Sequence, residues 1–346
     1  MTSPLTRAAR TAYAASQTAR LGVYWGQYLL TARMTGKVTP ERPYRAPLPK
    51  RDRLLRDLRK LFEQDWDNIQ AGQYRMPHDL LSQPLRGLGL APRYIEDMRR
   101  VERRRLDRQV KDLPEAPDGR YPAYYLQNFH YQSDGYLSRE SAKLYDHQVE
   151  VIFGGGADAM RRQALVPLGS FLKGRRQAAT RFADIACGTG RFLSFVKDNY
   201  PRLPVTALDL SPDYLAEARE TLKPWRGADF VAAPAEATGL PGASFDAMTC
   251  IYLLHEIPPK VRVQVARELS RLLAPGGILV VIDSLQTGDN PDYDGLLEFF
   301  PAAFHEPYFA SYLETDLVAL FAEAGLETAS VETAYLSRVM TLRKPR

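Results

Sequence analysis

The chain's 346 residues suffice for two domains, or for one enlarged domain with a substantial core. A hydrophobic fraction of 45% beside 25% charged residues, with no internal repeat or low-complexity tract, is globular and excludes a disordered or fibrous chain. The net charge of +5 hides an asymmetry: residues 1–113 hold 23 Lys+Arg against 12 Asp+Glu, and the remainder holds 23 against 29.

Such a basic front part meets an anionic partner or docks on the acidic remainder of its own chain. Its charges alternate with apolar residues at helical spacing, which favours docking. Two cysteines, Cys187 and Cys250, are too few for a disulfide scaffold or a zinc cluster, so a reducing cytoplasm is expected and no metal site is. Arg7, Arg10 and Arg20 interrupt any secretory signal, and the apolar stretch from Leu21 to Leu30 is too short to span a membrane.

Taken in order, residues 1–35 set Leu21, Trp25, Tyr28, Leu29 and Met34 near one helical face. That face packs on the protein or makes a peripheral membrane contact. Tyrosine and alanine stand where leucine and lysine would serve a membrane surface, which favours packing. Pro40, Pro43, Pro47 and Pro49 mark an extended connector over 38–50. Leu54, Leu58, Leu61, Phe62, Trp66 and Ile69 recur at helix spacing over 52–70. A second helix is expected from about Pro92 through Val110. It contains Arg103-Arg104-Arg105, which the neighbouring Glu96, Asp97, Glu102 and Asp107 make a solvated, salt-bridged face rather than a nucleic-acid patch.

Prolines and glycine over 114–126 place a boundary between a helical, basic region (1–125) and a second domain (126–346). A tyrosine-rich segment follows, and Ser138 opens a helix to Val151. Gly154-Gly155-Gly156 lacks the Lys-Ser/Thr of a phosphate loop and reads as a hinge or helix cap before a helix over 157–172. From 181 onward strands (181–186, 204–209, 228–232, 245–252, 277–283) alternate with helices (190–199, 212–222, 260–273, 314–325), and a closing antiparallel hairpin covers 327–335 and 338–343. This is an α/β chain with a doubly wound, mostly parallel seven-stranded sheet and a helical N-terminal extension.

The first strand ends in Asp184-Ile-Ala-Cys-Gly-Thr-Gly190, a glycine turn that lets backbone approach a ligand at a helix N-terminus. Leu193 occupies the place of the third glycine of a dinucleotide fingerprint, so a pyrophosphate cofactor is disfavoured. Asp209, at the tip of the second strand, stands where such folds bind ribose hydroxyls.

Those residues, with Asp209-Leu-Ser-Pro, Ser244-Phe-Asp-Ala-Met-Thr-Cys-Ile-Tyr-Leu-Leu-His-Glu256 and Leu272-Leu-Ala-Pro-Gly-Gly-Ile-Leu-Val-Val, resemble the ordered motifs of class I S-adenosylmethionine-dependent methyltransferases. The similarity is to the ubiquinone/menaquinone C-methyltransferase group and covers about 145–346. It implies S-adenosyl-L-methionine as cofactor, with Asp184 toward its ammonium and Ala186, Gly188 and Gly190 as backbone floor. Asp209 would then grip the ribose, Leu210 flank the adenine, and Tyr252 stand near the methyl group. The acidic residue that the family sets against adenine is replaced here by Pro234, leaving the Ala235 backbone and Glu236 to compensate.

Methyl transfer is an in-line displacement in which alignment and desolvation dominate. Tyr252 and His255 close the fourth strand, and His255 has the chemistry of a general base near neutral pH or of a structural histidine. His305 is a second candidate. Tyr131, Tyr136, Tyr145 and Tyr308 are expected to wall an aromatic or lipophilic small-molecule acceptor. Nucleic acid is not expected as substrate, because His-Glu-Ile-Pro-Pro stands where an Asn/Asp-Pro-Pro-Tyr/Phe motif would. A non-catalytic cofactor-binding scaffold and another chemistry at the same cofactor site are the remaining alternatives.

Overall fold

Short β-branched and apolar runs that end at a carboxylate or a glycine turn form the strands. They are β1 (Phe182–Ile185), β2 (Val205–Asp209), β3 (Ala228–Ala232), β4 (Phe245–Ile251), β5 (Leu273–Ser284), β6 (Glu327–Ala334) and β7 (Ser337–Arg343). In the computed structural model, which describes residues 4–36, 44, 46–107, 113 and 119–346, they make one sheet in the order β3-β2-β1-β4-β5-β7-β6. The first five run parallel, and β7 lies antiparallel between β5 and β6. Phe182, Ala183 and Ile185 of β1 are buried on both faces of the sheet, as a central parallel strand requires.

The helices are α1 (Pro4–Met34), α2 (Arg51–Gln70), α3 (Ser82–Asp107), α4 (Arg139–Ile152), α5 (Ala157–Arg162), α6 (Leu165–Leu172), α7 (Arg191–Asn199), α8 (Pro212–Leu222), α9 (Pro259–Leu272), α10 (Asp294–Ala303), α11 (Phe309–Leu313) and α12 (Leu317–Glu323). Capping fixes several starts: the Ser138, Ser211 and Asp316 side chains accept from the amides of Ser141, Tyr214 and Ala319. No described helix is long and apolar enough to cross a membrane.

Three expectations change. The helix expected from Pro92 begins ten residues earlier, at Ser82, with Pro92 inside it. Gly87 is there because any Cβ would lie 2.6 Å from the Tyr24 hydroxyl where α1 crosses α3. Val110, the expected end of that helix, lies outside the described residues, as do Pro40 and Pro43 of the connector and part of the 114–126 boundary. The helix expected over 157–172 is two, broken at Gln163-Ala164. Pro167 has no N–H to give the Gln163 carbonyl, and its ring crowds that group. In α1, the buried face is Tyr13, Gln17, Arg20, Tyr24, Gln27 and Thr31, and Tyr28 and Met34 of the expected face are exposed.

The triple glycine is a helix cap. Gly155 N–H donates to Glu150 C=O at 2.7 Å and Gly154 N–H to Val151 C=O at 3.1 Å, with both glycines at positive φ. A Cβ on Gly155 would press on the Arg20 backbone, so the cap also brings α1 close. Buried ion pairs finish the junction. Arg20 meets Glu150 at 2.5 Å and Asp158 at 3.2 Å, and Arg162 meets Asp65 at 2.6 Å. Basic and acidic partners come from both parts of the chain, since Asp65 and Asp79 of the front part pair with Arg162 and Arg191.

Candidate functional site

Two cavities meet at the carboxyl ends of β1, β2 and β4. The first holds about 760 Å³ of empty space, its mouth included. Its floor is the glycine turn and its sides are the tips of β2 and β4. Ala186, Gly188, Asp209, Leu210, Ala235 and Glu236 all line it. Ala186 (φ 58) and Gly188 (φ 56) both sit in the left-handed region, which glycine adopts freely and which at Ala186 is a strain the surroundings must hold.

Asp209 anchors this cleft. Its carboxylate accepts from the Gly188 amide at 2.8 Å and the Ser211 amide at 2.9 Å, which binds the β2 tip to the glycine turn. Burial raises its pKa, against the lowering effect of those amides, and no cation pairs with it among the described residues. Its remaining lone pairs suit hydroxyl donors. Glu236 accepts from the Tyr124 hydroxyl at 2.6 Å through Oε1, while its buried Oε2 has no hydrogen-bond partner. An amino donor is what that oxygen lacks. The donor set and the orphaned acceptor thus fit a nucleoside carrying a ribose diol and an exocyclic amine.

Two expected cofactor residues sit differently. Asp184 is 2% exposed, accepts from Thr249 Oγ1 at 2.6 Å, and lies behind the cleft wall rather than on it. Burial pushes its carboxyl up to about 7, outweighing that bond. Gly190 is absent from the wall as well. It begins α7 at φ 73, and a Cβ there would press on Ala218 at 3.2 Å, so packing against α8 explains the glycine.

The tyrosines of the segment before the sheet roof this first cleft. Tyr136 and Tyr145, expected beside the acceptor, line it together with Tyr125 and Tyr214. Their rings meet edge to face, Tyr136 at 5.5 Å from Tyr214 and Tyr145 at 5.5 Å from Tyr214. Tyr131, Tyr308 and His305 line neither cavity. His305 Nε2 is 3.0 Å from Gln127 Oε1 and its ring packs beside Tyr131, so both serve the segment that carries the roof.

The second cavity is larger, about 1720 Å³ of empty space, and mainly apolar. Ile152, Phe153, Leu297, Phe300 and Phe309 are among its walls, with His130 and His255 as polar members. Tyr252 lines both cavities. It too is left-handed (φ 58), with its N–H held by Ile282 C=O at 2.7 Å and its hydroxyl 2.7 Å from Ser337 Oγ.

His255 is 7% exposed, and its Nδ1 lies 2.6 Å from Asp283 Oδ1 at the end of β5. Burial disfavours its charge, but Asp283 outweighs burial and brings its pKa up to about 9. Asp283 thus favours the protonated ring, against the expectation of a base poised near neutral pH. Sequence reasoning also missed Asp283, whose signal was a lone carboxylate closing the apolar run Ile278–Ile282. Neither cysteine is paired, and both are buried.

Residues 182–277 match a family model described as a methyltransferase domain. A demethylmenaquinone methyltransferase of Listeria welshimeri is 32% identical over 133 residues, 38% of this chain and 54% of that one. One from Thermus thermophilus is 33% identical over 146 residues, covering 42% and 62%. A ubiquinone/menaquinone biosynthesis C-methyltransferase of Methylobacterium nodulans is 34% identical over 149 residues, covering 42% and 56%. The chain therefore spans little more than half the length of the first relatives it matches. Residues 182–277 form the core of a class I S-adenosylmethionine-dependent methyltransferase domain, whose cofactor is S-adenosyl-L-methionine.

Proposed function

We propose that this chain methylates a lipophilic, quinone-like organic acceptor bound in the second cavity. The observation that carries the reading is Tyr252, a single strained residue that forms the wall of both cavities. When bound, S-adenosyl-L-methionine supplies an electrophilic methyl group on a sulfonium.

In this reading Asp209 accepts both ribose hydroxyls while Gly188 and Ser211 hold its carboxylate in place. The free Oε2 of Glu236 accepts from the adenine amine, which replaces the acidic residue missing at Pro234, and the Ala235 backbone and Leu210 flank the ring. Asp184, behind the glycine turn, offers the methionine ammonium a negative charge at one remove. The Tyr125, Tyr136 and Tyr145 roof excludes water, which strengthens these contacts. Asp283 fixes the ring of His255 so that it meets the polar group of the acceptor, and the apolar walls carry the acceptor's hydrocarbon.

The second cavity is bordered by Tyr28, Thr31 and Ala32 of α1, and Leu30 and Met34 of the same helix end are exposed. A peripheral membrane contact through residues 1–35 would set that cavity toward a lipophilic acceptor. The test is turnover with a short-chain demethylated quinol and labelled cofactor. Label in a product one methyl heavier supports the reading. No transfer to any lipophilic quinol, from a protein that binds the cofactor, contradicts it.

A further inference from the structure

Between the two cavities lies a buried acidic group with His130 among it and His255 Nε2 3.8 Å from its Glu256. His130, Glu256 and Glu306 bring their ligand atoms within 4.8 Å of one another. His130 Nε2 is 3.1 Å from Glu306 Oε1 and 3.9 Å from Glu256 Oε1. Glu306 is 3% exposed, and neither of its carboxylate oxygens has a hydrogen-bond partner. His130 Nδ1 is likewise buried without a partner. His255 reaches Glu256 and leaves both Glu306 oxygens without a donor, a lack that a proton or a bound cation would fill, because a buried, unpaired charge is among the costliest features a fold can hold.

The geometry admits a cation. Ligands about 2.1 Å from one metal ion lie about 3.0 Å apart in cis positions and about 4.2 Å apart in trans, a range that contains both distances from His130. One imidazole and two carboxylates suit a first-row divalent ion and leave positions open for further oxygens. Glu256 is already oriented, since the Tyr136 hydroxyl donates to its Oε1 at 2.5 Å. His130 is held in a left-handed backbone conformation (φ 56) with Phe300 and Phe304 edge-on to its ring, a strained placement that aims it at the carboxylates.

We propose that His130, Glu256 and Glu306 bind a first-row divalent cation, which also holds an oxygen of the acceptor where the two cavities meet. The cation site stands on this geometry alone, whereas the acceptor contact rests on the methyl-transfer reading above. It departs from the sequence analysis, which expected no metal. A cation there lowers the pKa of a bound hydroxyl, so an acceptor oxygen would give its proton to solvent water on binding.

The test uses the full chain, stripped with chelator and titrated with Mn²⁺, Zn²⁺ and Co²⁺ by calorimetry, with thermal unfolding in parallel. We expect one equivalent to bind per chain, a higher unfolding temperature, and a visible absorption band with Co²⁺. Glu306→Gln should weaken that binding about a hundredfold and leave cofactor affinity within about twofold. Should Glu306→Gln not fold, His130→Asn and the wild-type Co²⁺ spectrum read the same site. No saturable binding of any of the three ions, or affinity unchanged in Glu306→Gln, overturns the proposal and favours a shared proton. Cofactor binding without metal binding removes only this inference, and metal binding without cofactor binding removes only the methyl-transfer reading.

Discussion

Arg191, the first residue of the helix behind the glycine turn, grips Asp158 of α5 with two nitrogens, at 2.6 and 3.1 Å. A third contact runs from Arg191 to Asp79 at 2.7 Å, and Arg20 of α1 reaches the same Asp158. The helical front region is thereby tied to the start of the cofactor turn through buried charge. Removing one partner strands the others, so Asp158→Ala should cost about 3–5 kcal/mol of stability. Urea unfolding of the full chain measures this, and a loss under about 1 kcal/mol would show the network to be dispensable.

Asp184 gives a pH dependence with a definite sign. Its folded-state pKa is up at about 7, from an ordinary value of 3.8. Between those values the folded chain keeps a proton that the unfolded chain releases, so this group's contribution to stability falls as pH rises and is fully unfavourable above about 7. Asp184→Asn should therefore stabilise the cofactor-free protein at pH 8 by up to about 4 kcal/mol, with the gain shrinking toward pH 4. The same variant should bind S-adenosyl-L-methionine more weakly. Equal stability of the two proteins at pH 8 would remove the argument.

Glu236 carries the adenine assignment. Glu236→Gln keeps an oxygen for Tyr124 and turns an amide donor toward the ring amine. Affinity for S-adenosylhomocysteine should drop about tenfold, the worth of one hydrogen bond. An unchanged dissociation constant in calorimetry would send adenine elsewhere in the cleft.

His255→Ala should lower turnover while cofactor affinity stays within about twofold, because the ring faces the second cavity. Asp283→Asn should act in the same direction by releasing the ring, with a change in KM beside kcat. A His255→Ala enzyme that turns over at the wild-type rate would retire any role for this residue.

The sheet was legible in the sequence because its signals are local. Strands ending at Ile185, Asp209 and Ile251, the glycine turn and the closing hairpin all follow from apolar runs and punctuation within a few residues. The start of α3 was hidden because Gly87 and Pro92 look like breakers until Tyr24, far away in sequence, is seen to need the space. The site was legible as strand tips and illegible as contacts. Asp209 and Glu236 sit on the cleft wall, but nothing local says that Asp184 is behind it, or that Tyr136 faces Glu256 across 120 residues. His130, Glu256 and Glu306 belong to three separate segments, so only folding reveals that they share one buried volume.

The central claim is that the cleft beyond β1, β2 and β4 holds a sulfonium nucleoside through Asp209. Calorimetry of the full chain with S-adenosyl-L-methionine tests it most directly, with Asp209→Ala as control. The account predicts one site per chain, with affinity reduced at least a hundredfold in the variant. No heat from the wild-type chain, or binding that Asp209→Ala leaves intact, would contradict it.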